Sequence, residues 1–466
     1  MKNVVMKKNV SLERKQKATP MKKSFFLLLG MLPFCAACHH TAPAELAPTS
    51  ESAPGPIVFD EYFLDKSMRL DFYHCGNAHD EMFFFDELRE EPYWGGSLVS
   101  LLDTFNLGDQ RFVLLDKATR RVIYSYHYST LWCEWKYTEE AQTTSKGMPE
   151  SVVFPYPKGD VIAQIWSRQP AKECTEAHQP WILKYEQEIK ADDKFVRGFS
   201  SLYETEDLHV VADPHHALDI VIVPEGYTES ERNVFETDCQ FFLSEFFGIE
   251  PWRSNEQRVN VRLVWAPSAE SGVSIPFADK WCNTAVKANY CTFGSDRYQM
   301  TQDYQLVCDI AGHVPYDEIY ILTNSDKYGG GGIYNFYGIG AGHDRAGSSG
   351  RVHIHEFGHE FAYLGDEYVE VGNSTSDAYA PHIEPCEANL TTKVDISGKP
   401  WVTTPPIPGT DVTPDSIYGK WLPEGGGYLE KGIWHPYENC MMRILAAPFC
   451  PVCLQAQIDV LDRLCR

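Results

Sequence analysis

Residues 218–248 read LDIVIVPEGYTESERNVFETDCQFFLSEFFG and describe a strand followed by a helix. The first six residues form an apolar run of the kind found in strands that are buried on both faces. Thr228 to Glu231 then match a capping box, which opens a helix. The apolar side chains that follow recur on one helical face: Phe235, Cys239, Phe242 and Phe246. We therefore predict a buried strand packed beneath an amphipathic helix.

The chain beyond this pair continues the same pattern. Val259–Trp265 and Glu318–Thr323 are two further apolar runs of strand length. A strand, a helix and two more strands in this order predict an α/β layer domain, which we place at residues 208–466. Near the end of the chain, one face of a final helix is marked by Leu454, Ile458, Leu461 and Cys465.

Residues 57–203 show a different periodicity. Polar and aromatic residues alternate from Tyr124 to Tyr128, and a short turn separates this segment from Arg111–Leu115, which predicts a β-hairpin. Asp160–Trp166 and Trp181–Ile189 read as further strands. This region has no long run of apolar residues at helical spacing, so we predict an antiparallel all-β sandwich. Its aromatic residues are expected in the core, with a sugar-binding platform as the alternative for Trp132, Trp135 and Tyr137.

The N-terminus resembles an export signal. Within residues 1–38, a basic start at Met21–Lys23 precedes the short apolar run Phe25–Phe34. The segment Cys35–Cys38 (CAAC) resembles a lipoprotein processing site, with Cys38 as the lipid anchor and plain secretion as the alternative. Residues 39–56 are rich in Ala, Pro and Ser, which predicts a flexible linker. Both alternatives place the folded chain outside the cytoplasm.

Charge and cysteine content narrow the function further. The net charge of -24 opposes binding to nucleic acid or anionic lipid, so we expect membrane contact only through the anchor.

Fourteen cysteines, less the two in the signal region, leave twelve that could pair in an oxidising compartment. We predict structural disulfides, with Cys282–Cys291 as the closest plausible bridge. Cys450 and Cys453 are expected to belong to structural bridges rather than to a redox motif.

The chemistry concentrates in residues 355–368, HEFGHEFAYLGDEY. If residues 349–364 are helical, His355 and His359 lie one turn apart on the same face and can bind one metal ion. Glu356 lies beside that face, where it can act as the general base. Zinc is commonly bound by histidine nitrogen atoms, and it lowers the pKa of its bound water towards neutrality. Hydroxide is then available at physiological pH.

Two neighbouring segments support a catalytic site. Gly329–Gly332 precedes an apolar and aromatic stretch that would suit an edge strand lining a substrate cleft. Gly365 is expected to break the helix, and the acidic pair Asp366 and Glu367 follows directly. Either carboxylate could supply the third ligand that a catalytic zinc site requires.

At these residues the chain resembles the metzincin metallopeptidases, and most closely the IgA-peptidase-type family, in which HEFGH precedes a DEY triplet. The resemblance spans residues 208–466 and extends to the N-terminal sandwich. It implies a zincin fold with an irregular C-terminal subdomain, with His355, His359 and Asp366 as zinc ligands, Glu367 as the alternative third ligand and Glu356 as the base. The commonest metzincin pattern differs at Ala362 and Gly365, which places Asp366 one residue late.

Metzincins also carry a methionine in a tight turn beneath the metal. Residues 437–443 (YENCMMR) resemble that turn, with Met442 as the first choice and Met441 as the alternative. We therefore expect a zinc endopeptidase that acts on extracellular proteins, with an immunoglobulin or another host glycoprotein as candidate substrate. The alternative is a surface-anchored lipoprotein that binds glycans or proteins and has only a structural metal site.

Overall fold

The computed structural model describes residues 55–345, 349–372, 378–394, 398–403 and 422–466. The N-terminal part, residues 55–203, contains two short helices and two antiparallel sheets, of strand order β2-β1-β5 and β4-β3-β6-β7. The elements are α1 (Phe59–Tyr62), β1 (Phe63–Gly76), β2 (Glu81–Glu91), β3 (Gln110–Asp116), β4 (Val122–Tyr128), α2 (Leu131–Trp135), β5 (Lys146–Pro157), β6 (Val161–Arg168) and β7 (Trp181–Ile189). The prediction of a β region here is confirmed.

The two sheets share one apolar core. Phe112 on β3 stacks on Phe154 on β5 with ring centroids 5.1 Å apart, and alternate residues of both sheets are fully buried around them. Trp132 and Trp135 lie in α2 and are almost completely buried. The alternative of a sugar-binding platform is therefore wrong for these two residues, because their rings pack in a core and are not available to a ligand.

The C-terminal part contains a six-stranded mixed sheet of order β12-β13-β11-β9-β10-β8. Its strands are β8 (Glu204–His209), β9 (Leu218–Glu225), β10 (Val259–Trp265), β11 (Glu318–Thr323), β12 (Gly330–Ile333) and β13 (Tyr337–Ala341). The inner four strands are parallel, whereas β12 and β8 are antiparallel edge strands. The sheet begins at Glu204, ahead of the expected start at residue 208.

Helices cover both faces of this sheet. They are α3 (Arg232–Phe246), α4 (Tyr304–Ala311), α5 (Val352–Ala362) and α7 (Pro451–Leu464). The short helix α6 (Pro400–Thr403) packs instead with Leu422 and Trp434 beside a hairpin of β14 (Glu424–Gly426) and β15 (Leu429–Trp434), which precedes α7. Along β9, Ile220 and Ile222 pack in the same core as α3, α5 and α7, while Val221 and Val223 pack towards α4. Burial on both faces explains the apolar run that opened the sequence analysis.

Two local predictions concern the ends of this domain. The capping box at Thr228 is present, and it opens a single 3₁₀ turn that leads into α3. The final helix forms, but its buried face centres on Cys453, Gln457 and Leu461. Leu454 and Ile458 are only partly buried, so the predicted face is rotated relative to the observed one.

The prediction of disulfide pairing is wrong for the twelve cysteines of the described chain, which are all free. Cys282 directs its thiol towards the carbonyl of Ser271, while Cys291 is buried in the core beneath α4, so the expected bridge does not form. Cys35, Cys38 and the linker up to residue 54 lie outside the described residues. In the described part of the chain, no helix is long and apolar enough to cross a membrane.

Candidate active site

Helix α5 carries both predicted histidines. One helical turn separates His355 from His359, and their Nε2 atoms lie 3.2 Å apart. Each Nδ1 atom faces a backbone carbonyl: that of His355 lies 3.1 Å from the oxygen of Met441, and that of His359 contacts the oxygen of Leu364. A proton on each Nδ1 satisfies these carbonyls and leaves both Nε2 lone pairs free, which is the tautomer that a metal requires.

The chain turns sharply after α5. The helix ends at Ala362 and not at Gly365 as predicted, because Tyr363 adopts a left-handed conformation with φ 49°. The backbone amides of Tyr363 and Leu364 donate to the carbonyls of His359 and Gly358, at 3.1 and 3.2 Å. This pattern closes the last helical turn and reverses the chain, so that residue 366 returns to the histidines.

The two acidic residues beyond the turn point to different places. The Oδ1 atom of Asp366 lies 3.1 Å from Nε2 of His355 and 3.4 Å from Nε2 of His359. Its Oδ2 atom accepts a hydrogen bond from the Tyr428 hydroxyl. Glu367 is fully buried and its carboxylate instead contacts Asn389 and Cys453. The structure therefore brings Asp366, and not Glu367, to the two histidines.

These three side chains fit a zinc ion. Zinc–ligand bonds of about 2.0–2.1 Å in a tetrahedron place two ligand atoms about 3.3 Å apart. The three observed separations are 3.1, 3.2 and 3.4 Å. The Oδ1 atom of Asp366 is also buried without a hydrogen-bond partner. A cation bound between the three side chains would satisfy that oxygen.

Neighbouring charges and burial shift the pKa values of Asp366, His359 and Glu356. The pKa of Asp366 is held well below its usual range although burial opposes this, because both imidazoles face it. Burial lowers the pKa of His359, but Asp366 more than offsets that effect and raises it to about 9. Burial raises the pKa of Glu356, and the two histidines oppose this in part. A carboxylate with a raised pKa is better able to accept and return a proton near neutrality.

His355, His359 and Asp366 line a cleft of about 760 Å³, together with Glu356. One wall is strand β12, whose Gly330 and Gly332 pack directly against Glu356 on α5. A Cβ atom on Gly332 would lie only 2.1 Å from the carbonyl oxygen of Glu356, so a larger residue does not fit there. The lining also includes Glu134 and Arg168 from the N-terminal part, which thus helps to form the cleft.

The two predicted methionines lie beneath the group. Met441 and Met442 are completely buried. The carbonyl of Met441 faces Nδ1 of His355, and the carbonyl of Met442 accepts the amide of Glu367 at 2.8 Å. Both residues thus support the site through their backbones, while the Met442 sulfur packs under Gly358 in α5.

The sequence analysis did not identify several residues that line the cleft. Tyr428 contacts Asp366, Arg297 donates to the hydroxyl of Tyr368 at 3.3 Å, and Tyr298 donates to Glu134 at 2.5 Å. Tyr428 comes from a segment without regular periodicity, and Glu134 comes from the other sheet region. No local pattern distinguishes them, because their positions depend on long-range packing.

A group of two histidines and one aspartate with a glutamate beside it, in a cleft against a mixed sheet, is the kind of site that metallohydrolases use. Family models for the IgA peptidase M64 domain and for the peptidase M64 N-terminus match residues 207–409 and 58–179. Together the matches cover more than half of the sequence, and the chain belongs to the IgA peptidase M64 family. It is therefore a peptidase, and His355, Glu356 and His359 form a potential metal-binding group. A comparison with curated proteins gives no match.

Proposed function

We propose that the chain is a zinc-dependent endopeptidase with a zincin-type catalytic domain. The proposal rests chiefly on the three separations between His355, His359 and Asp366, which correspond to the edges of a zinc coordination tetrahedron. Family membership independently supports peptide-bond hydrolysis. When bound, zinc would polarise the scissile carbonyl and lower the pKa of water.

Four side chains of the cleft have separate roles in the proposed reaction. His355 and His359 present Nε2 atoms whose orientation is held by carbonyls of the Met441 and Leu364 backbone. Asp366 supplies the negatively charged ligand and is oriented by Tyr428. Glu356 faces the cleft, accepts a proton from the attacking water and delivers it to the leaving amine.

Substitution of Glu356 by Gln tests this assignment. The variant should retain its metal, because Glu356 is not one of the three ligands, and should lose at least about 10²-fold in casein hydrolysis. Glu229→Gln, an exposed glutamate before α3, serves as a control for the same chemical change. Near wild-type hydrolysis by the Glu356→Gln variant would remove this residue from the mechanism. If well-folded, zinc-loaded wild-type chain shows no hydrolysis, the binding-protein alternative would be favoured.

The proposed substrate is an exposed segment of an immunoglobulin or another secreted glycoprotein. The family description supports this class, and the cleft of about 760 Å³ includes Gly330 and Gly332 of β12 among its lining residues. Cleavage-site mapping on a peptide library, followed by digestion of purified immunoglobulins, would test it. Cleavage of unstructured peptides alone would contradict a specific immunoglobulin substrate.

We also propose that the enzyme is exported and held at a membrane surface by lipid on Cys38. The sequence of the signal region supports this proposal, and plain secretion is the alternative. The proposed domain organisation has the linker at residues 39–56, the sheet domain at 57–203 and the catalytic domain at 208–466. In that arrangement the acidic surface contributes little to membrane binding.

A further inference from the structure

A second cluster of metal-binding side chains lies beneath the proposed catalytic site. It consists of Glu367, Cys440, Cys450 and Cys453, all of which are buried. One ligand atom from each residue lies within 4.8 Å of all the others. None of these four side chains is needed by the proposed hydrolysis mechanism. We propose that this cluster is a structural zinc site, separate from the catalytic one.

The separations within the cluster match zinc coordination. Zinc–sulfur bonds of about 2.3 Å in a tetrahedron place two sulfur atoms about 3.8 Å apart, and a sulfur and a carboxylate oxygen about 3.5 Å apart. The Sγ atom of Cys453 lies 3.6 Å from that of Cys440 and 3.5 Å from that of Cys450. Its distance to Oε1 of Glu367 is 3.5 Å.

The surroundings of Glu367 also indicate a cation. Its side chain is completely buried, and its Oε2 atom has no hydrogen-bond partner. The amide of Asn389 donates to Oε1 at 2.8 Å and thereby orients the carboxylate towards the sulfur atoms. Three thiols do not neutralise a buried carboxylate, whereas a divalent cation bound by all four groups does. A disulfide between any two of the cysteines would leave the Oε2 atom of Glu367 without a partner.

The ligands come from three segments that support the catalytic site. Glu367 follows Asp366 directly, and Cys440 precedes Met441, whose carbonyl faces His355. Cys450 and Cys453 form the N-terminus of α7. A metal at this point therefore fixes the turn after α5, the methionine turn and the last helix to one another. Four ligands without an open position are typical of structural zinc.

Cobalt substitution distinguishes the two sites, because the proposed catalytic site contains no thiolate. The purified full chain, stripped with a chelator and reloaded with Co²⁺, should bind two ions and show thiolate-to-cobalt charge-transfer absorption. A His355→Ala, His359→Ala variant should bind one ion and keep that absorption. Cys453→Ser should lose it, whereas Cys282→Ser, a cysteine outside the cluster, should keep it.

A second measurement covers the case in which Cys453→Ser does not fold. Alkylation of wild-type protein, denatured with chelator and without reductant, should modify all three cluster cysteines, whereas native zinc-loaded protein should protect them. A disulfide joining any two of the three would overturn the proposal. So would the absence of charge-transfer absorption in cobalt-loaded wild type, even if peptidase activity is present.

Discussion

Replacement of Gly332 by Ala should selectively damage the active site. The new Cβ atom would lie 2.1 Å from the carbonyl oxygen of Glu356 and 2.8 Å from its carbonyl carbon. Ordinary contact begins near 3.4 Å, so β12 and α5 must separate by about 1 Å. Retreat of β12 is resisted because Gly332 pairs with Gly338 in β13, where the side chain of Glu360 already fills the space.

Two magnitudes follow from this collision. Overpacking of a closely packed contact costs about 1–3 kcal/mol of unfolding free energy. A displacement of about 1 Å at a catalytic group costs about 10²-fold in rate. We therefore expect Gly332→Ala to remain folded and to lose about 10²-fold in kcat/KM for peptide hydrolysis.

The assay combines urea unfolding with steady-state hydrolysis of a fluorogenic peptide. Gly159→Ala is the matched control, because a Cβ atom there meets no atom within 4 Å and the backbone is not left-handed. The control should change the unfolding free energy by less than about 1 kcal/mol and leave hydrolysis unaffected. Wild-type kcat/KM in Gly332→Ala would refute the claim that contact between β12 and α5 positions Glu356.

Three further predictions concern the ligands, the sheet region and the anchor. Cobalt-loaded Asp366→Ala should lose the metal held by the histidines and keep the thiolate-to-cobalt absorption, whereas Glu367→Ala should keep the metal held by the histidines; metal analysis and spectra of the two variants decide between them. The fully buried His74 lies 3.0 Å from Glu150 and 3.1 Å from Glu81; burial lowers its pKa, but the two carboxylates raise it above the usual value. Its stabilising effect should therefore be complete below about pH 6.5 and be lost as pH rises through the folded-state pKa. Urea unfolding across that window should show this decline, and His74→Gln should flatten it; an unchanged slope would contradict the assignment. Cys38→Ala should release soluble, active enzyme from the membrane fraction, and retention of the variant there would exclude the lipid anchor.

Features that depend on local periodicity could be predicted from the sequence. The strand at 218–223, which the structure extends to Glu225, the capping box at Thr228 and the shared helical face of His355 and His359 each depend on residues that are close together in the sequence. Short-range sterics and hydrogen bonds determine these features, so the pattern of residues is sufficient. The same reasoning identified the hairpin of β3 and β4.

Features that depend on a single torsion or on distant contacts could not be predicted. The residues alone left the choice between Asp366 and Glu367 open, and only the family resemblance favoured Asp366. Their directions follow from the left-handed conformation of Tyr363, a residue type that does not favour it. The contact between Glu367 and Cys453 joins residues 86 positions apart. Cysteine counting suggested disulfides because it uses number and spacing only, whereas the cluster around Cys453 is defined by its position in three dimensions.

Anomalous diffraction at the zinc absorption edge, from crystals of the full chain grown without added metal, tests the central claim most directly. We predict a peak within bonding distance of Nε2 of His355, Nε2 of His359 and Oδ1 of Asp366, with Glu356 beside it and not bound. A well-ordered map without a peak between these three atoms, or with Glu356 in place of Asp366, would contradict the proposed catalytic site.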